Sequence, residues 1–331
     1  MSETDSMNNL SPLLEKTVCC VAPNLGARPC AGDLLPIATS LRCVRCQRIY
    51  PIVKGVALLN LDLQTSGDGE WFEEMYKGRS RTEELKSDYL EKERTYLEDF
   101  ARRSSISGPS LEIGCGVGLF AGLVPGFIGL EYSLQSLLAP GFELFNRVAG
   151  DAANLPFKDS SMQLVFSFNA LEHIARIDSV FKEIDRVCMP GGYLVLKPAW
   201  HATRYHTELI DILPYGKLSL RKKLVKSMVP LMRTGLYKFA THVPWRTWRR
   251  LTAGESPALK WGKLVPYHGP LWEPDTDAEV SLDCHEGILY FTRRGYECLS
   301  HKGVIKQILA GHDIVVLQKP KSLGDMASVE S

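Results

Sequence analysis

Leu111-Glu112-Ile113-Gly114-Cys115-Gly116-Val117-Gly118 is the stretch that decides the fold. Ser110 to Ile113 has the composition of a buried strand, and it empties into three glycines spaced one residue apart. Open α/β sheets bind ligands at the carboxyl ends of their strands, where a glycine-rich turn opens onto a helix N-terminus. The spacing excludes two familiar versions of that turn. A dinucleotide fingerprint needs a third glycine where Leu119 stands, and a P-loop needs a Gly-Lys-Ser/Thr that is absent. What remains, G-x-G-x-G, offers bare backbone to a ligand without a pyrophosphate.

Working outward, a helical segment is expected at Leu119 to Leu123, then a second strand at Phe127 to Glu131. Arg147-Val148-Ala149 and Leu164 to Phe168 read as the third and fourth strands. Ile177 to Cys188 places Val180, Phe181, Ile184 and Val187 at helical spacing. Pro190-Gly191-Gly192 should end that helix, and Tyr193 to Leu196 start a fifth strand. Short strands alternating with short crossovers predict a parallel, doubly wound α/β sheet. Three polar positions then fall around one crevice: Glu131 at the end of the second strand, Asp151 after the third, and Asn169 to Ile174 after the fourth. A carboxylate at 131 can accept from both hydroxyls of a ribose, and one at 151 from an adenine amino group.

These residues, with Leu171-Glu172-His173-Ile174 and Pro190-Gly191-Gly192, resemble class I S-adenosylmethionine-dependent methyltransferases, nearest the ubiquinone/menaquinone-biosynthesis-like type 11 group. The resemblance runs over roughly residues 108–198, with a weaker echo at 287–318. It implies a Rossmann-like sheet of seven strands, mostly parallel with an antiparallel last strand. It implies that Glu112, Gly114, Gly116 and Gly118 line the methionine part of S-adenosylmethionine, Glu131 the ribose, and Asp151 with Ala152 the adenine, with Cys115 and Tyr132 also at the cofactor. Asn169 and Ala170 would pass close to the sulfonium. His173 is the best-placed general base, since an ordinary pKa of ~6.5 suits proton abstraction near neutrality; the alternatives are a helix-capping or packing role, or a divalent metal held with Glu172.

Length and composition set the frame. A chain of 331 residues is about two domains long. With 45% hydrophobic and 23% charged residues it is ordinary globular sequence, neither disordered nor fibrous. A net charge of +1 excludes polyanion binding by bulk charge. No apolar run approaches the ~18 residues that span a bilayer, and Met1 to Asn9 lack a basic flank and apolar core. A cytoplasmic protein is the default expectation.

Five of the nine cysteines fall in the first 46 residues. Cys43-Val44-Arg45-Cys46 is a C-x-x-C knuckle, half of a tetrahedral zinc site. Leu41 to Asn60 resembles the zinc-ribbon domain that accompanies some methyltransferases, tRNA-modifying ones included. That family's first knuckle is also C-x-x-C, whereas Cys20 and Cys30 here are nine residues apart and Cys19 competes with Cys20. The expected ligands of a structural zinc are Cys20, Cys30, Cys43 and Cys46; the competing reading is a ribbon that has lost its metal. A domain of ~60 residues has little core, so a metal would help it fold.

Residues 201–263 carry thirteen Lys and Arg against Glu208, Asp211 and Glu255, a local +10 inside a neutral chain. Seven aromatic residues are interleaved. Leu220, Leu224, Met228, Leu231 and Met232 sit near helical spacing, with Pro230 placed to bend the segment. By the family resemblance the segment covers the acceptor, and its charge favours an anionic one. A basic amphipathic segment can also lie on an anionic membrane surface; a solvated basic face is the plain alternative. Phe291 to Tyr296 resembles the family's turn before strand six, and Ile314 to Leu317 fits strand seven.

The expected division is a ribbon at 1–62, a helical linker at 63–107, the cofactor-binding core at 108–200, a basic and aromatic lid at 201–281, strand-turn-strand texture at 282–320 and a disordered tail at 321–331. Three functions compete. The first is methyl transfer, at oxygen, to a small-molecule or lipid-linked anionic acceptor. The second is an RNA methyltransferase that grips phosphates and stacks bases, although no Asn-Pro-Pro-Tyr-like tetrapeptide follows strand four. The third is a silent cofactor-binding scaffold, against which the intact glycine turn and both carboxylates stand.

Overall fold

The computed structural model describes residues 11–22, 30–59 and 67–321, the side chains of 67–69 excepted. Met1 to Asn9, the first residues of the expected linker at 63–66 and nearly all of the expected tail lie outside the described residues. In chain order the elements are α1 (Pro12–Thr17), β1 (Leu34–Ile37), β2 (Ser40–Cys43), β3 (Ile49–Val53), β4 (Val56–Leu58), α2 (Gly67–Tyr76), α3 (Arg81–Glu84), α4 (Glu91–Arg103), β5 (Ser110–Ile113) and β6 (Phe127–Glu131). There follow α5 (Leu134–Leu137), β7 (Asn146–Ala149), β8 (Met162–Phe168), α6 (Ile177–Val187), β9 (Cys188–Lys197), α7 (Arg204–Thr207), α8 (Leu220–Met232) and α9 (Gly235–Thr252). Last come β10 (Trp261–Lys263), β11 (Val280–Leu282), α10 (Cys284–Thr292), β12 (Glu297–Cys298), α11 (Val304–Ile308) and β13 (Val315–Gln318).

Two compact units divide the chain. The first takes its described residues from 11–168, 179–195 and 321; the second is 169–178 with 196–320. The first is built on a sheet of order β1-β2-β3-β4-β7-β6-β5-β8-β9. β5 pairs parallel with β6 on one side and β8 on the other, with Glu112 opposite both Gly129 and Phe166. The chain leaves β5 toward one neighbour and returns on its other side, which is the topological switch point where such sheets bind ligands. Every residue of β5 and of β6 is buried, as strands covered on both faces require. The N-terminal strands β1 to β4 run antiparallel to one another, and β4 then pairs parallel with β7 through Val56–Arg147 and Leu58–Ala149. The cysteine-bearing strands therefore extend the same sheet.

One expected element is replaced. Leu119 to Leu123 forms a run of turns rather than a helix. Gly118 and Gly122 take φ of +80° and +89°, which breaks the α-helical ladder at both ends of the segment. The Arg81 guanidinium stands in for the missing helical donors, giving hydrogen bonds to the carbonyls of Gly118 at 2.8 Å and Ala121 at 2.9 Å. Pro190 to Gly192 also departs from expectation: β9 begins at Cys188 and runs through them.

In the second unit β10 pairs antiparallel with β11, and β12 antiparallel with β13. An antiparallel last strand was expected, and β13 runs antiparallel to β12. The strand texture expected from 282 does not hold, because Cys284–Thr292 is helical. Asp283 caps it by accepting from the His285 N–H at 2.8 Å. All residues from Cys284 to Phe291 are buried, and a short continuously buried run carries no periodicity that separates helix from strand.

Candidate functional site

In the first unit the polypeptide turns sharply after β5. Gly114 and Cys115 both donate to the Leu130 carbonyl, at 2.9 and 3.1 Å, and Gly114 and Gly116 take φ of +72° and +49°. Glu131, at the tip of the adjacent strand, accepts from the Gly116 N–H at 2.9 Å, from Tyr132 at 2.6 Å and from Ser133 at 3.2 Å. Burial pushes its carboxyl up, and these three N–H groups pull it back toward ionisation. A carboxylate bound to the glycine turn in this way is fixed in position before any ligand arrives.

Glu112 differs. Its side chain is buried, and its Oε2 has no hydrogen-bond partner among the described residues. Burial, and then the charge of Glu131, push its pKa well above the usual carboxylate range. An orphaned carboxyl oxygen costs about 1–3 kcal/mol to bury. A cationic donor would relieve that deficit.

Asp151 follows β7 and caps the 3-10 turn Ala152–Asn154 by accepting from Ala153 N–H at 2.8 Å. Ala152 is buried beside it. Cys115 is buried, with its sulfur against Gly129, where an added Cβ would lie 2.7 Å away. Gly118 packs under Phe142, whose ring lies 2.3 Å from an added Cβ, so its lack of a side chain serves packing as well as the turn.

Two residues that the sequence reading passed over come from α2. A Cβ on Gly116 would lie 3.2 Å from the Tyr76 hydroxyl, so this tyrosine overhangs the glycine turn. Glu73 accepts from the N–H groups of Leu134 and Gln135 at 2.7 and 3.0 Å, tying α2 to the segment after Glu131. Neither carries a motif, and the sequence pointed there only to a helical linker over 63–107.

In the second unit Asn169 takes φ +48°, donates to the Lys197 carbonyl at 2.9 Å, and with Ala170 leads into the 3-10 turn Leu171–His173. His173 is gripped by acids. Its Nδ1 lies 3.3 Å from both the Asp277 carbonyl and its Oδ2, and its Nε2 lies 3.7 Å from Glu172 Oε1. Burial lowers the imidazole pKa, but Glu172 and Asp277 outweigh it and raise the value above 6.5. Glu172, His173 and Asp275 could also present ligand atoms to one cation, all within 4.8 Å of one another. Asp275 and Asp277 were missed in the sequence. The signal was the acid-rich Glu273-Pro274-Asp275-Thr276-Asp277-Ala278-Glu279, separated by nine residues from the basic region that ends at Lys263.

The sulfurs of Cys20, Cys30, Cys43 and Cys46 lie within 4.8 Å of one another. Cys20 is 3.5 Å from Cys46, and Cys30 is 3.6 Å from Cys43. A tetrahedral zinc with Zn–S of about 2.3 Å needs sulfurs about 3.8 Å apart. The N–H groups of Arg45 and Cys46 point at Cys43 Sγ from 3.3 and 3.4 Å, and despite the opposing effect of burial they help lower this thiol to about 7. Cys19 stands outside the cluster, raised by burial to about 11.

Residues 111–196, about a quarter of the chain, match the family model described as a methyltransferase domain. This stretch is a methyltransferase domain. Similar curated proteins include sterol methyltransferase-like 2 of Botryococcus braunii, 30% identical over 125 residues, covering 32% of each chain. Norajmaline N-methyltransferase of Rauvolfia serpentina is 27% identical over 216 residues, covering 60% of this chain and 67% of that one. Malonyl-[acyl-carrier protein] O-methyltransferase of Methylococcus capsulatus is 34% identical over 121 residues, covering 30% and 44%. This chain thus spans between about a third and two thirds of these relatives, whose names cover different acceptors. Among the described residues no helix is long and apolar enough to cross a membrane.

Proposed function

We propose that this protein transfers the methyl group of S-adenosylmethionine to a small or lipid-linked anionic acceptor, at oxygen. The observation that carries the reading is the buried, unpartnered Glu112 oxygen at the head of a glycine turn already braced by Glu131. Bound there, S-adenosylmethionine supplies a methyl group activated by its sulfonium. Glu112 would hold the ammonium, Glu131 the ribose, and Asp151 with Ala152 the adenine.

Direct displacement leaves the protein the task of alignment, which is worth about 7–11 kcal/mol of barrier. An acceptor hydroxyl must also lose its proton. We assign that proton to His173 Nε2, with Asp277 orienting the ring through Nδ1. Because the flanking acids raise this pKa, the neutral base form is reached only above the ordinary histidine range. The basic residues of 201–263 favour an acceptor bearing phosphate or carboxylate, and the thiol cluster fits a structural zinc on Cys20, Cys30, Cys43 and Cys46. A zinc thiolate site fits the reducing environment of the cytoplasm.

The test is incubation of the purified chain with labelled methyl donor and fractionated cell extract, with and without RNase. RNase-resistant label in a small-molecule or lipid fraction supports the reading, and label lost on RNase treatment replaces it with RNA methylation. Elemental analysis of the same preparation should find one zinc per chain; metal-free folded protein would remove the zinc assignment.

A further inference from the structure

The basic segment does not use its charge or its apolar residues as a buried amphipathic helix does. Leu220, Leu224, Met228 and Leu231 stand at spacings of four, four and three along α8, hence on one face, and that face is exposed: Leu220 by 78% and Leu224 by 65%. Val229 is the buried residue of this helix. Along α9, Leu236, Ala240, Pro244, Trp248 and Leu251 repeat the pattern, with Leu236 79% and Leu251 81% exposed. The inward face of α9 is instead cationic. Arg246 is buried, donating to Asp283 at 3.0 Å and to the Ile308 and Ala310 carbonyls at 2.7 Å each. Arg249 is buried against Glu286 at 3.0 Å.

Cations outnumber acids around these stripes, although Lys222 pairs with Glu208 at 3.0 Å and Arg233 with Asp211 at 2.6 Å. Residues 212–254 contain ten Lys and Arg and no Asp or Glu. Arg221 and Lys223 flank the α8 stripe on either side, and Lys217 and Lys238 are exposed nearby. Trp245 and Trp248 on α9 are both about half exposed, their rings 5.0 Å apart.

We propose that α8 and α9 seat this protein on the surface of an anionic lipid bilayer, leucines entering the acyl boundary and lysines and arginines meeting the headgroups. Amphipathic helices with cationic flanks and Leu and Trp on the apolar side bind such interfaces in their plane. Charge complementarity selects this occupant. A second copy of the chain would bring the exposed cations of this face, Lys217, Arg221 and Lys238 among them, against their like. A nucleic acid satisfies the cations but leaves the exposed leucines in water. The proposal stands on these two helices alone and does not depend on methyl transfer.

The test is flotation of the full chain with vesicles of phosphatidylcholine alone and with added phosphatidylserine, at physiological ionic strength. Binding is expected with the anionic vesicles only. Replacing Arg221 and Lys238 together by Gln should weaken it about 25-fold, at about fivefold per charge near the surface. Leu224→Ser with Leu251→Ser should weaken it about tenfold or more while circular dichroism is unchanged. No flotation, or flotation indifferent to both variants, overturns the proposal. So does a wild-type chain that binds single-stranded RNA but not vesicles, or one that self-associates through the leucine stripes.

Discussion

Two helices of this protein have nearly the same written pattern and opposite orientations. In α6, Val180, Phe181, Ile184 and Val187 are fully buried, and the remaining face mixes Asp178, Lys182, Glu183, Asp185 and Arg186. In α8 the leucines and Met228 also recur at helical spacing yet point to solvent, and the charged residues of the helix are all cationic. Helical periodicity states that a helix has an apolar face. It does not state what covers that face. Charge of a single sign within the helix itself, without the mixed signs of an ordinary solvated face, distinguishes the second helix.

The sharpest break between them is in stability. Phe181→Ala should lower the unfolding free energy by about 4 kcal/mol, as truncation of a fully buried aromatic does, while Leu224→Ala should stay within about 0.5 kcal/mol. Urea denaturation of both variants decides it, and a comparable loss in the two would erase the distinction. A smaller effect concerns charge. Arg249→Ala strands a buried Glu286 and should cost about 3 kcal/mol, whereas Arg221→Ala, on the exposed face of α8, should leave the urea midpoint in place.

The third effect is a displacement along the pH axis rather than a loss. If His173 is the base, the rate rises with pH as its imidazole is deprotonated, and that limb lies above pH 6.5 because Glu172 and Asp277 outweigh burial. Asp277→Asn removes one of those charges and should move the limb to lower pH. A limb that stays in place would leave His173 a structural residue, like the histidine buried in α10.

Much of the first unit was legible in the sequence because its strands are short, apolar and punctuated by glycine. β5, β6, β7 and β8 fall within a few residues of where composition put them. The failures have physical causes. Leu119 to Leu123 reads as helix until Gly118 and Gly122 are seen in positive φ, with Arg81, nearly forty residues away, satisfying their neighbourhood. Cys284 to Thr292 has no polar face from which to read a period. Of the site, Glu112, Glu131 and the cysteine knuckle were visible as motifs, since each lies in a local pattern. Tyr76, Glu73 and Asp277 were not, because the chain brings them to their partners over long sequence distances and no spacing encodes that.

The most direct test of the central claim is calorimetric titration of the full chain with S-adenosylmethionine in two buffers of different ionisation enthalpy. Burial raises the Glu112 carboxyl above its usual range and an arriving ammonium should lower it again, so at a pH where the free carboxyl is protonated binding should release a proton. The expected result is binding with proton release, and the loss of both the release and most of the affinity in Glu112→Gln. Absence of binding, or a variant that binds with the same proton release as the wild type, would contradict the account.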